Sequence, residues 1–70
     1  ITHRLMSVTV IAPRALHTDA LDTALMVMGT KDALLFANEH HLPIYTITKT
    51  DEGFKEQYSR AFKPYLPQPQ

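Results

Sequence analysis

Pro13, Gly29 and Pro43 cut this sequence into short segments of different periodicity, and that punctuation constrains the fold more than anything else in it. Before Pro13, the stretch Leu5 to Ala12 is rich in β-branched residues and reads as a strand. Simple alternation puts Met6, Val8, Val10 and Ala12 on one face and Ser7, Thr9 and Ile11 on the other. Pro13 ends that strand because it has no N–H to give to a ladder, and residues 13–18 read as a short loop. From His17 to Gly29 the pattern is helical. Ala20, Leu21, Ala24, Leu25, Val27 and Met28 make this helix largely apolar, which suits an element packed on several sides. Gly29 is the expected stop. Thr30 is placed to cap a second helix, Lys31 to His40, with Ala33, Leu34, Phe36 and Ala37 on its apolar face and Lys31, Asp32, Asn38 and Glu39 on its wet one.

Leu42-Pro43 breaks the second helix, and Ile44 to Thr48 has the composition of a second strand. Lys49-Thr50-Asp51-Glu52-Gly53 reads as a hairpin turn. Phe54 to Tyr58 returns as an edge strand with Phe54 and Tyr58 on one face. Phe62, Tyr65 and Leu66 are expected to dock back, and residues 67–70 to form a disordered tail after a single segment spanning 1–66. The order strand, helix, helix, strand, edge strand gives an α+β layer with one covered sheet face. Ser7, Thr9, Thr46 and Thr48 are expected on the uncovered face.

At 70 residues the chain has room for one small domain with a modest core. Seven basic and seven acidic residues cancel, so there is no basic field for nucleic acid and no Lys/Arg cluster for a membrane surface. The absence of cysteine excludes a disulfide framework and a thiolate zinc site. Apolar runs fall far short of a membrane span. The first residue is Ile1, not methionine, and the start reads as a cut inside a longer protein.

The chemistry-bearing cluster is Asp19, Asp22 and Thr23. At spacings i, i+3 and i+4 these three oxygen-bearing side chains share one face of the first helical turns. In the structural reading, Asp19 is the N-cap, Asp22 sits three residues on as in a capping box, and both complement the helix dipole. In the functional reading, the trio binds Mg²⁺, a hard cation that prefers oxygen, keeps several waters and shares itself between one or two carboxylates and substrate phosphates. Spacing alone leaves both open. The other constellations carry less. His40 and His41 are adjacent and point apart on a helix end, and His3 and His17 have no partner at metal-ligand spacing. Ser7 and Thr9 lack a glycine elbow. Gly29-Thr30-Lys31 follows a helix instead of opening one, unlike a phosphate loop.

The run from Leu5 to Pro13, followed by Thr18-Asp19-Ala20-Leu21-Asp22-Thr23-Ala24-Leu25-Met26-Val27-Met28-Gly29, resembles the C-terminal part of the FAD:protein FMN transferase family, the ApbE-type flavin transferases formerly described as thiamine biosynthesis lipoproteins. Leu42-Pro43-Ile44-Tyr45, Gly53-Phe54 and Ser59-Arg60-Ala61-Phe62 extend the likeness over nearly the whole chain. Thr18 stands where the family usually has Ala. The resemblance implies the C-terminal piece of a larger two-layer, T-fold-like domain. It further implies a Mg²⁺-dependent enzyme that cleaves the pyrophosphate of FAD, attaches FMN to a Thr of a target protein and releases AMP. Its partners would be FAD and a flavin-acceptor protein such as a subunit of a membrane redox complex. Its location would be the periplasmic side of the bacterial inner membrane, held by a lipid anchor. Asp19, Asp22 and Thr23 would be the metal ligands this segment contributes. The FAD pocket, a further metal contact and a His-Ile-Asp-Pro-type segment belong to the family's upstream part, so the piece alone is expected to be inactive. The competing reading is a non-catalytic FAD-binding module, or a homo-oligomer formed through the uncovered sheet face, in which the acidic helix start is only a cap.

Overall fold

The computed structural model describes residues 4–13 and 18–67. The parts of the expected loop and tail at 14–17 and 68–70, and the histidines at 3 and 17, lie outside the described residues. The order is β1 (Arg4–Val10), α1 (Asp19–Met28), α2 (Thr30–Glu39), β2 (Ile44–Thr50), β3 (Gly53–Tyr58) and a 3-10 turn, η1 (Arg60–Tyr65). The three strands form one antiparallel sheet in the order β1-β2-β3, and the helix pair lies against one side. This is the α+β layer that the breakers dictate.

Strand β1 departs from strict alternation. Its register pairs Val10 with Ile44 and Val8 with Thr46, then slips so that Leu5, not Met6, lies opposite Thr48. Met6 is the extra residue of a β-bulge, which shifts the phase of every side chain before it. Val8, Val10 and Ala12 pack toward the core as alternation requires. Met6 does not: it is 45 % exposed.

Packing against the sheet selects the apolar stripes of both helices. Leu25 from α1, Ala33 and Ala37 from α2, Val10 and Ile44 form the buried core, with Leu21, Met28, Leu34, Phe36 and Leu42 packed around it. Two alanines four residues apart bring α2 close to the sheet. Thr46 and Thr48 lie on this same covered face, fully buried, and not on the open one. Their hydroxyls are satisfied there: Thr46 donates to the Gln57 carbonyl at 3.2 Å, and Thr48 shares a 2.6 Å hydrogen bond with Thr30. A β-branched residue with a partnered hydroxyl fills a strand core position at little cost. The open face instead carries Ser7, Thr9, Tyr45, Ile47, Phe54, Glu56 and Tyr58. Phe62 of η1 docks there, with its ring centroid 5.4 Å from that of Tyr45.

The hydroxyl of Thr30 is therefore committed to the sheet and does not cap α2, whose N-cap is Gly29 with no side-chain hydrogen bond. Gly29, at φ 85°, ends one helix and begins the next, a conformation that side chains disfavour. At the far end of α2 the Leu42 N–H reaches the Ala37 carbonyl at 2.8 Å and the His41 N–H reaches the Asn38 carbonyl at 3.4 Å. That pair is a Schellman motif with His41 in the left-handed position, φ 54°. Left-handed backbone costs a non-glycine residue about 1–2 kcal/mol. His41→Gly is accordingly expected to stabilise the fold by up to about 1 kcal/mol, read as a higher melting temperature; no change would mean that the histidine side chain contributes as much as it costs.

Ser59 closes the structure between β3 and the α2–β2 connection. Fully buried, it donates its hydroxyl to the Leu42 carbonyl at 2.6 Å and accepts the Ile44 N–H at 2.9 Å. Its own N–H donates to the Ile44 carbonyl at 3.0 Å. Asn38 continues the seam by accepting the Arg60 N–H at 2.9 Å. Ser59→Ala strands a buried amide and a carbonyl, so we expect a loss of about 1–3 kcal/mol by denaturant melting.

Candidate functional site at the start of the first helix

The β1 exit and the α2–β2 connection meet where the Ile11 N–H donates to the Pro43 carbonyl at 3.0 Å. Beyond that point the chain enters α1 through Thr18, which is extended (φ −118°, ψ 161°) and caps the helix. Its Oγ1 accepts the Leu21 N–H at 3.1 Å, and its carbonyl accepts the Asp22 N–H at 3.2 Å. The cap is Thr18 and not Asp19. Asp19 becomes the first helical residue, and Leu21 occupies the position a capping box reserves for an acid. Asp19, the cap expected from the sequence, gives way because Thr18 one residue earlier is itself a good cap and takes the extended backbone a cap requires.

Asp19, Asp22 and Thr23 therefore lie together in the first turns of α1, with Cβ atoms about 5–6 Å apart by helix geometry. Asp19 and Thr23 are exposed and Asp22 is half-buried. The helix N-terminus adds partial positive charge, which favours both acidic side chains and an approaching phosphate. Among the described residues no group of three or more His, Cys, Asp or Glu side chains could hold a metal ion. Two carboxylates and a hydroxyl are thus a partial donor set. Such a set suits Mg²⁺, which completes its octahedron with water and phosphate oxygens, and does not suit a closed cage.

His40, which follows the last residue of α2, packs its ring against Phe36 with centroids 4.4 Å apart and planes tilted by 42°, so packing accounts for it. Tyr45 donates its phenol proton to Glu56, and that hydrogen bond, more than burial or the nearby charge, holds its pKa above the usual tyrosine value. Among the described residues, one surface groove lies beside α2 and another under Phe62. Neither is lined by the α1 trio.

The model of the ApbE family matches residues 1–46. The chain belongs to the ApbE family. Over 66 residues it is 50 % identical to a FAD:protein FMN transferase of Klebsiella pneumoniae, covering 94 % of this chain and 19 % of that protein. The corresponding protein of Escherichia coli K12 is 48 % identical with the same coverage. The solved structure of flavin transferase ApbE from Vibrio cholerae is 44 % identical and superposes with a TM-score of 0.83, over 94 % of this chain and 21 % of that one. The chain spans about a fifth of the length of the curated relatives it matches. The likeness covers the strand, both helices and the hairpin, so the α+β layer is a part of the ApbE fold.

Proposed function

We propose that this segment belongs to a Mg²⁺-dependent FAD:protein FMN transferase, in which it supplies Asp19, Asp22 and Thr23 to the metal site. The observation that carries this reading is the capping of α1 by Thr18, which leaves Asp19 at the exposed helix start without a capping role, within an ApbE-family chain. When bound, Mg²⁺ neutralises pyrophosphate charge and orients the phosphate for in-line attack. The chain's own contribution is positional. Thr18 fixes the direction of the first turn, the Leu25 anchor fixes its rotation against the sheet, and the helix N-terminus faces negative charge.

The overall reaction in this proposal joins the FMN half of FAD to a Thr hydroxyl of an acceptor protein and releases AMP. The acceptor is a subunit of a membrane redox complex, and the site of action is the periplasmic face of the bacterial inner membrane. The segment supplies too little wall to enclose FAD, so activity belongs to the full-length protein. Thermal melting of a full-length transferase carrying this segment tests the metal assignment. Mg²⁺ added with ADP should raise the melting temperature by several degrees, since saturation at a hundred times Kd contributes about 2.7 kcal/mol. An unchanged melting temperature would refute it.

A further inference from the structure

Two good caps stand in succession at the start of α1, and whichever of them caps decides what the other can do. Thr18 is extended, and its Oγ1 accepts the Leu21 N–H at 3.1 Å. Its carbonyl accepts the Asp22 N–H at 3.2 Å, so the helix begins at Asp19. Intrinsic preference runs the other way, because aspartate is at least as good an N-cap as threonine. As the cap, Asp19 would turn its carboxylate back onto the N–H of Leu21 or Asp22. Such a charge-assisted hydrogen bond competes with a cation for the same oxygens. With Thr18 in that role, Asp19 is the first helical residue, exposed, and on one helix face with Asp22 and Thr23.

We propose that Thr18 is a positioning residue that sets the divalent-cation affinity of the α1 trio, by holding the cap that Asp19 would otherwise take. This inference rests on the proposed metal site and names what tunes it. Thr18 acts through Asp19 and not as a ligand. Loss of its hydroxyl has two consequences of the same sign. The first turn frays, so fewer molecules hold the three side chains on one face. In another part of the population the helix start moves by one residue, which engages the Asp19 carboxylate with the backbone. The remaining fraction alone is competent, and the apparent dissociation constant rises in inverse proportion to it. A cap of ordinary strength corresponds to about a fivefold change in that population. The effect falls on the cation concentration required, because a saturating cation draws the turn back to its productive form.

Mn²⁺ titration in the presence of ADP, followed by the electron paramagnetic resonance of unbound Mn²⁺, tests this in a full-length transferase carrying the segment. Manganese suits the same oxygen donors as magnesium. Thr18→Ala and Thr18→Val should each raise the Mn²⁺ dissociation constant about threefold to tenfold, and Thr18→Ser should stay within about twofold of the unsubstituted protein. Ser59→Ala, which weakens the fold far from α1, should leave the constant unchanged while all variants are folded. Thr18 is exposed, so its variants retain the core. An unchanged constant in Thr18→Ala and Thr18→Val would overturn the proposal and leave the metal site standing. A rise in Thr18→Ser as large as in Thr18→Ala, or an equal rise in Ser59→Ala, would overturn it too. No ADP-dependent Mn²⁺ binding in the unsubstituted protein would overturn the metal assignment and this inference together.

Discussion

Asp19→Ala in a full-length transferase carrying this segment is expected to lower FMN transfer by about a hundredfold or more while leaving the protein folded. The size follows from what a metal-held phosphate loses with one carboxylate: several kcal/mol of charge stabilisation and positioning. The structural cost is small, because the cap belongs to Thr18 and Asp19 contributes only a dipole interaction of about 0.3–1 kcal/mol. Thr18→Ala provides the contrast. It should cost about 1 kcal/mol of stability and keep most of the activity. FMN transfer to an acceptor protein, measured beside a melting curve, separates the two. Activity retained in Asp19→Ala would remove Asp19 from the metal site.

Leu25→Ala is expected to unfold the 70-residue segment. Leu25 is fully buried at the centre of a core that includes only four other buried apolar side chains among the described residues. Truncating it removes transfer free energy and opens a cavity, together worth about 2–5 kcal/mol. A domain of this size commonly has no more than about 3–5 kcal/mol to lose. The helical circular dichroism signal and the cooperative melt should both disappear. Val27→Ala, on the same helix but 82 % exposed, should shift stability by less than about 0.5 kcal/mol. Equal effects from the two variants would contradict the orientation of α1 described above.

Element types and order were readable from the chain because local signals agreed. Pro13, Gly29 and Pro43 fall between elements, and the turn at Asp51-Glu52 joins β2 to β3 with Phe54 and Tyr58 on one face. What escaped was set by long-range partners. Alternation cannot anticipate a bulge, which turns Met6 outward and sets Leu5 opposite Thr48. Thr46 and Thr48 look polar in sequence, and their burial depends on Gln57 and Thr30, which are distant along the chain. Ser59 shows no periodic signal, yet three hydrogen bonds converge on it. At the candidate site the residue types and their shared helix face were legible. The identity of the cap was not, because Thr18 and Asp19 are both good caps and only the backbone decides between them.

In the proposed site the α1 trio holds a divalent cation against the FAD pyrophosphate. A crystal structure of a full-length transferase carrying this segment, with FAD and Mg²⁺ bound, measures this most directly. The account predicts oxygens of Asp19, Asp22 and Thr23 at about 2.1 Å from the ion, with pyrophosphate oxygens and water completing the shell. A pyrophosphate-bound ion with all three side chains turned away from it would contradict the account.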